Sequence, residues 1–126
     1  MTGDDRDQLS DRVIGVAIEV HRQLGPGLLE SADEECLCYE LQSRGILYLR
    51  QVPLPLQYKG VHIECGYRMD IVVDGKLVIE VKPVERLLPL HEAQLLTYLK
   101  LSGIKTGLLL NFNAVLPKHG IKRMVL

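Results

Sequence analysis

The stretch 68–82, RMDIVVDGKLVIEVK, decides the fold. Its odd-numbered positions are apolar apart from Gly75, and charged side chains occupy most of the even-numbered ones. A period of two predicts two half-buried β-strands, one on each side of the turn signal Asp74-Gly75.

The loop of this hairpin is predicted to contain an odd number of residues. Residues that face each other across an antiparallel pair share a face, so paired numbers must sum to an even value. A two-residue Asp74-Gly75 turn would set Val73 opposite Lys76 and would turn Glu80 towards the core. We therefore expect a three-residue loop, a type I turn with Gly75 in a left-handed G1 bulge.

In that register Asp70, Glu80 and Lys82 converge on one polar face. Magnesium takes oxygen ligands and keeps several waters, so one or two carboxylates and a substrate phosphate suffice to hold it. The carbonyl of Val81 could be a further ligand, and Lys82 could orient a water or stabilise an anion. The alternative is an exposed ladder of acids and lysine, worth about a few tenths of a kcal/mol per pair. The local pattern does not decide between them.

Composition limits the possible classes of protein. The 126 residues predict a single domain, 1–126, with residues 1–7 as a disordered tail. A net charge of -1 gives no global basic field, so nucleic acid would need a local patch. The cysteines, Cys36, Cys38 and Cys65, lack zinc spacing and predict free thiols in a reducing compartment. Without a long apolar run or a signal-like start, we expect a cytoplasmic protein with no membrane contact.

Two helices are predicted before the first strand. Apolar residues at helical spacing begin after Ser10 and continue to the helix breaker Gly25-Pro26. Glu19 lies beside this apolar stripe, on a face that is predicted to be exposed to solvent. Ser31-x-x-Glu34 forms a capping box that predicts a second helix ending at Gly45.

Glu30 stands just outside the predicted start of the second helix. Its carboxylate could complement the helix dipole or reach the metal face of the sheet, and the local sequence favours neither.

The segment 46–60, ILYLRQVPLPLQYKG, predicts an edge or bent strand, because its two prolines cannot donate to a ladder. After the turn at Lys59-Gly60, the odd-numbered apolar face is expected to continue through Val61, Ile63 and Cys65. The result is a three-stranded antiparallel meander that ends at Lys82-Pro83.

A third helix is predicted from about Pro89 to Ser102. His91, Gln94 and Tyr98 fall on one of its faces, directly after the charged strand, and favour a site there. The apolar run 106–112, TGLLLNF, predicts a strand buried on both faces. A strand, a crossover helix and a second strand predict a parallel pair. The fold class is therefore α/β, a mixed β-sheet flanked by helices.

These residues resemble the PD-(D/E)xK nuclease superfamily and, more narrowly, its small GxxExxY proteins. The resemblance covers about residues 10–125 and is carried by IGVAIEVHRQLGPGLLES (14–31), CGYRMDIVVDGKLVIEVKPVE (65–85), HEAQLLTYLKLSG (91–103) and GLLLNFN (107–113). It implies a restriction-endonuclease-like core.

The resemblance also implies the roles of the site residues. Those matching Asp70 and Glu80 bind the metal, Mg²⁺ or Mn²⁺, and the one matching Lys82 serves catalysis. Glu30 matches the acid from the N-terminal helical region, with Glu19 as second choice. Gln94-x-x-x-Tyr98 resembles a helix motif that places the substrate strand, and His91 shares its face.

The chain departs from the narrower pattern at one position. Gly27-x-x-Glu30 matches, but Asp33 stands where the motif has tyrosine. A carboxylate near a phosphate site would repel substrate, which questions the role of that loop.

Two functional hypotheses follow from the sequence. The first is a Mg²⁺-dependent nuclease that hydrolyses phosphodiester bonds in DNA or RNA. The second is a catalytically inactive nuclease-fold module that binds nucleic acid or a protein partner. Such a module could act as a homo-oligomer through the apolar VPLPL segment, residues 52–56.

Overall fold

The computed structural model describes residues 3–26, 30–114 and 117–126. Three helices and seven strands occur in these ranges, together with one 3₁₀ turn at Pro117–Gly120. The helices are α1 (Gly3–Leu24), α2 (Glu30–Ser43) and α3 (Pro89–Ser102). The strands are β1 (Tyr48–Pro53), β2 (Leu56–Tyr58), β3 (Val61–Ile63), β4 (Arg68–Val73), β5 (Leu77–Val81), β6 (Thr106–Leu110) and β7 (Ile121–Val125).

Five strands form one mixed sheet in the order β1-β4-β5-β6-β7. The pair β5/β6 is parallel and the other neighbours are antiparallel. Helix α3 connects the two parallel strands, and all five residues of β6 are buried. The predicted mixed sheet, crossover helix and doubly buried strand are confirmed, and β1 lies at an edge as its proline predicted.

The sheet is covered on both faces. Helices α1 and α2 pack on one face, where the core includes Val13, Leu37, Ile71, Ile79 and Leu108. The opposite face is covered by α3, whose core includes Val72, Val78, Leu95, Leu99 and Leu109. These two layers bury opposite sides of the same strands, as the alternation of side chains along a strand requires.

The register of the β4–β5 hairpin is the predicted one, with Val73 paired to Leu77 across a three-residue loop. The turn type differs. Gly75 has the predicted positive φ of 65°, but Asp74 is also left-handed at 52°. Asp74 and Gly75 are the two central residues of the turn. Positive φ at both of them marks a type I′ turn rather than type I, and this turn type matches the twist of the flanking strands.

The hairpin is not half-buried as predicted. All five residues of β5 are buried, including Val78 on the even-numbered side. The reason is α3, which packs over that side of the sheet and buries Val72 and Val78 there.

The predicted continuation of the apolar face beyond β4 is wrong. Val61 is 57% exposed, and Ile63 and Cys65 are also exposed. Strand β3 does not extend into β4, because Gly66 turns the chain at a φ of 78°. Instead β3 pairs with β2 in a separate two-stranded sheet. The antiparallel meander is therefore β1-β4-β5, with this hairpin inserted.

Two further expectations need correction. Helix α1 begins at Gly3 rather than near Ser10, so of the predicted tail only residues 1 and 2 lie outside the described residues. Leu54, at the centre of the VPLPL segment, is buried in the second core cluster and cannot serve as an interface residue. The end of α3 is as predicted, with Gly103 left-handed and its N–H bonded to the Leu99 carbonyl.

Candidate active site

The site forms where β4 and β5 separate. Their ladder pairing ends at Ile71 and Ile79, and side chains take over the next hydrogen bonds. The backbone N–H of Asp70 donates to Oε2 of Glu80 at 2.8 Å. In return, the N–H of Val81 donates to Oδ2 of Asp70, also at 2.8 Å. These reciprocal bonds fix both carboxylates at the end of the hairpin.

Burial makes both carboxylates poor acids. Glu80 is only 2% exposed, and desolvation followed by the charge of Asp70 raises its pKa to about 8. Desolvation also raises the pKa of Asp70 to about 6, against the lowering effect of the Val81 N–H. The nearest cation to Glu80 is Lys82, whose Nζ lies 3.9 Å from Oε1. The pair therefore carries an unfavourable electrostatic energy that a bound cation would relieve.

Asp70 also belongs to an acidic group with α2. Ligand atoms of Glu30, Glu34 and Asp70 lie within 4.8 Å of one another, and Glu80 is not part of this group. Glu30 is the first residue of α2 rather than a loop residue, so the predicted capping box is wrong. The helix brings Glu30 and Glu34, four residues apart, to the same face.

Glu34 has its own donors from the edge strand. Arg50 donates from Nε to Oε2 at 3.0 Å, and its Nη2 lies 2.9 Å from the same oxygen. Gln51 donates from Nε2 to both carboxylate oxygens, at 3.3 and 3.2 Å. Arg50 also bonds Glu35 through Nη1 at 2.8 Å. The charge of Glu34 is thus compensated within the chain.

The other N-terminal candidates lie outside this group. Glu19 bonds Arg22 and Gln23 of its own helix, which matches a solvated helix face. Asp33 is 1% exposed, and neither of its carboxylate oxygens has a hydrogen-bond partner among the described residues. Burial raises its pKa to about 6, and the charge of His21 opposes the shift. Asp33 is buried, so it does not present a carboxylate to substrate; Gly27 of the same motif lies outside the described residues.

A chain of polar contacts connects Lys82 to α3. Its Nζ donates to Oε1 of Gln94 at 2.6 Å, and Nε2 of Gln94 donates to the Tyr98 hydroxyl at 3.2 Å. His91 lies on the same face, and its Nδ1 accepts the Leu88 N–H at the start of α3. All four side chains line one cleft of about 540 Å³.

The donor set fits Mg²⁺ or Mn²⁺. Carboxylate oxygens are the ligands these ions prefer, and the group of Glu30, Glu34 and Asp70 supplies only carboxylates. Asp70 belongs both to the hydrogen-bonded pair with Glu80 and to the acidic group with Glu30 and Glu34. An ion beside Asp70 would meet carboxylates whose pKa values are raised, first of all by burial.

A family model for the PD-(D/E)XK nuclease superfamily matches residues 7–124. The mixed sheet with flanking helices agrees with the restriction-endonuclease-like fold of that class. The chain belongs to the PD-(D/E)XK nuclease superfamily. No curated protein and no solved structure matches it significantly.

Sequence reasoning missed Glu34, Arg50 and Gln51. The spacing of Glu30 and Glu34 could have indicated a shared helix face, had the helix been started one residue earlier. No local pattern indicates the contact of Arg50 with Glu34, since it joins an edge strand to a helix across the fold.

None of the described helices is both long and apolar enough to cross a bilayer.

Proposed function

We propose that the chain is a Mg²⁺-dependent nuclease that hydrolyses phosphodiester bonds in DNA or RNA, with Mn²⁺ as an alternative ion. The observation that carries this proposal is the pair of half-buried Asp70 and buried Glu80, fixed by reciprocal hydrogen bonds beside Lys82. Membership of a nuclease superfamily supports it. The narrower GxxExxY assignment and the cytoplasmic location stay predictions of the sequence.

Asp70, Glu80 and Glu30 are the proposed metal ligands. Bound there, the ion would supply positive charge to the phosphate and lower the pKa of a water. Glu34 is a weaker candidate because Arg50 and Gln51 already occupy its oxygens. Its role in the proposal is to hold Arg50 and the edge strand beside the acids.

Lys82 is the proposed catalytic cation. Hydrolysis requires attack of a water oxygen on phosphorus, loss of a proton from that water and departure of the ribose oxygen. The ammonium group, held by Gln94, can orient the water and stabilise the charge that builds on the phosphate oxygens. Gln94, Tyr98 and His91 line the cleft and are proposed to contact the strand.

The test is cleavage of plasmid and single-stranded DNA with Mg²⁺ and then Mn²⁺. We expect Asp70→Asn and Lys82→Ala each to reduce cleavage on the order of a hundredfold or more, the effect of removing one electrostatic contact to a transition state. Asp74→Asn and Lys76→Ala are matched controls, because this exposed pair lies on the same hairpin, 3.7 Å apart, and outside the site.

Two results would contradict the proposal. Cleavage that persists in both site variants would come from a contaminant. Calorimetry that detects no Mg²⁺ or Mn²⁺ uptake by the wild type would favour the inactive binding module. A homo-oligomer is a separate prediction, which a monomeric mass in solution would refute.

A further inference from the structure

The cleft beside Lys82 contains an aromatic side chain that the proposed mechanism does not use. Tyr67 lines the cleft with Lys82, Leu90, His91, Gln94 and Tyr98. A volume of about 540 Å³ is large enough for a nucleotide-sized group.

The backbone of Tyr67 is fixed while its ring stays accessible. It directly precedes β4, and its carbonyl accepts the Leu54 N–H at 2.9 Å. The ring is 40% exposed and lies 5.9 Å from the buried ring of Tyr98, tilted by 55°. Tyr98 supports one side of the Tyr67 ring, so part of an aromatic surface is open to the cleft. A rigid, exposed ring next to a polar site is what a stacking contact needs.

The charge of the cleft indicates whether a bound nucleic acid would be paired or unpaired. Lys82 is the only lysine or arginine among the residues that line it. Binding of a duplex depends strongly on positive charge placed against its phosphates, and a single lysine supplies little of this charge. Proteins that bind unpaired strands gain affinity instead from bases stacked on aromatic rings. Leu90, which is exposed in the same cleft, adds apolar surface.

We propose that Tyr67 stacks on a nucleobase of an unpaired strand, so that the substrate enters this cleft as single-stranded nucleic acid. The inference rests on the proposed function for the position of the phosphate near Lys82. It adds a base contact and a substrate class to that site.

The experiment compares binding of three fluorescein-labelled probes by fluorescence anisotropy, first with EDTA and then with Ca²⁺. The probes are an oligothymidylate, a strand of equal length made of abasic sites, and a duplex of equal length. The proteins are the wild type, Tyr67→Ala and Tyr67→Phe. Tyr58→Ala is the matched control, because Tyr58 is an exposed tyrosine on β2 that does not line the cleft.

We expect Tyr67→Ala to weaken oligothymidylate binding roughly tenfold, as for loss of one stacked base. Tyr67→Phe retains the ring and should bind like the wild type, as should Tyr58→Ala. The wild type should prefer oligothymidylate to the abasic strand, and Tyr67→Ala should lose that preference. Unchanged melting temperatures show that the fold is intact.

Equal loss of affinity for oligothymidylate and the abasic strand in Tyr67→Ala would overturn the inference, because the missing contact would not involve a base. Tighter wild-type binding to the duplex would also overturn it. These outcomes are separate from the cleavage assay. A protein that binds through Tyr67 but does not cleave refutes only the proposed nuclease, and one that cleaves without using Tyr67 refutes only this inference.

Discussion

Glu34 and Glu80 are both buried acids close to Asp70, but the chain treats them differently. Glu34, 4% exposed, receives hydrogen bonds from a guanidinium and a side-chain amide. Glu80, 2% exposed, receives one backbone N–H and has a lysine 3.9 Å away. The first carboxylate is compensated by contacts within the protein, and the second is not.

This difference separates an acid whose charge the protein compensates from one whose charge it does not. Burying a charge without a close partner costs free energy, and the pKa of Glu80 rises to about 8 as a result. A divalent cation could remove that cost, whereas Glu34 would gain little from one. The stability conferred by the Glu80 region should therefore depend on pH and on metal, and that of the Glu34 region on Arg50.

The largest expected effect comes from removing the partner of Glu34. Arg50→Ala leaves a buried carboxylate without its cation, and we expect the free energy of unfolding to fall by about 3–5 kcal/mol. Because the Arg50 side chain is 32% exposed, the lower end of that range is the better expectation. Urea denaturation at pH 7 measures the change.

A surface pair and a double variant serve as controls for Arg50. Arg44 and Glu40 lie 3.5 Å apart on exposed side chains, so Arg44→Ala should cost less than about 0.5 kcal/mol. Adding Glu34→Gln to Arg50→Ala should recover part of the loss, since no charge then stays buried. Equal effects of Arg50→Ala and Arg44→Ala would contradict the comparison.

Glu80→Gln should raise the free energy of unfolding, whereas Arg50→Ala lowers it. The folded pKa of Glu80, about 8, lies above its ordinary value of 4.5, so the folded state holds the extra proton between these values. Stability then falls as pH rises through this window. Gln carries no charge, and at pH 8 in EDTA the variant should be more stable than the wild type by on the order of 3–5 kcal/mol.

Adding a metal ion provides a second test of whether Glu80 is uncompensated. Mg²⁺ at pH 8 should raise the melting temperature of the wild type, because an ion that binds only the folded state stabilises it. Glu80→Gln should respond much less. A wild type whose stability is constant between pH 5 and 8 would show that this carboxylate is not uncompensated.

Asp33 directly precedes Glu34 in the chain, and its substitution should have a smaller effect on stability. Neither of its buried oxygens has a partner within the part of the chain that the structure describes, and its pKa rises from 3.8 to about 6. Stability is therefore lost as pH rises from about 3.8 to 6, and Asp33→Asn should recover about 2–3 kcal/mol at pH 8 but nothing at pH 3.5. Glu34→Gln should instead lower stability at pH 8. Chemical denaturation at both pH values would show whether these neighbours differ in sign.

The sequence predicted the parts of this comparison that follow from local periodicity. Parity alone required an odd loop, and the structure pairs Val73 with Leu77. The same parity failed at Val61 and Ile63, because alternation does not reveal where a glycine redirects the chain. A strand pattern therefore predicts which residues share a face only as far as the strand continues.

Local sequence patterns could not predict which buried charges are compensated by other side chains. Asp70 and Glu80 are connected by one hairpin, so their proximity followed from its register. The partners of Glu34 come from β1, and their approach depends on how α2 packs against the sheet edge. Sequence alone could suggest that an acid is buried, but it could not show that Arg50 neutralises it.

Gln51 provides the smallest prediction and tests whether β1 is shaped to hold Glu34. Its φ of 52° is left-handed, which is strained for a residue with a side chain. Gln51→Ala keeps the strain and loses the amide donor, so it should cost about 1 kcal/mol. Gln51→Gly also loses the donor but relieves strain of about 1 kcal/mol, so its net effect should be near zero. If urea denaturation finds the alanine variant as stable as the wild type, the amide contributes nothing to Glu34, and Arg50 alone provides the compensation.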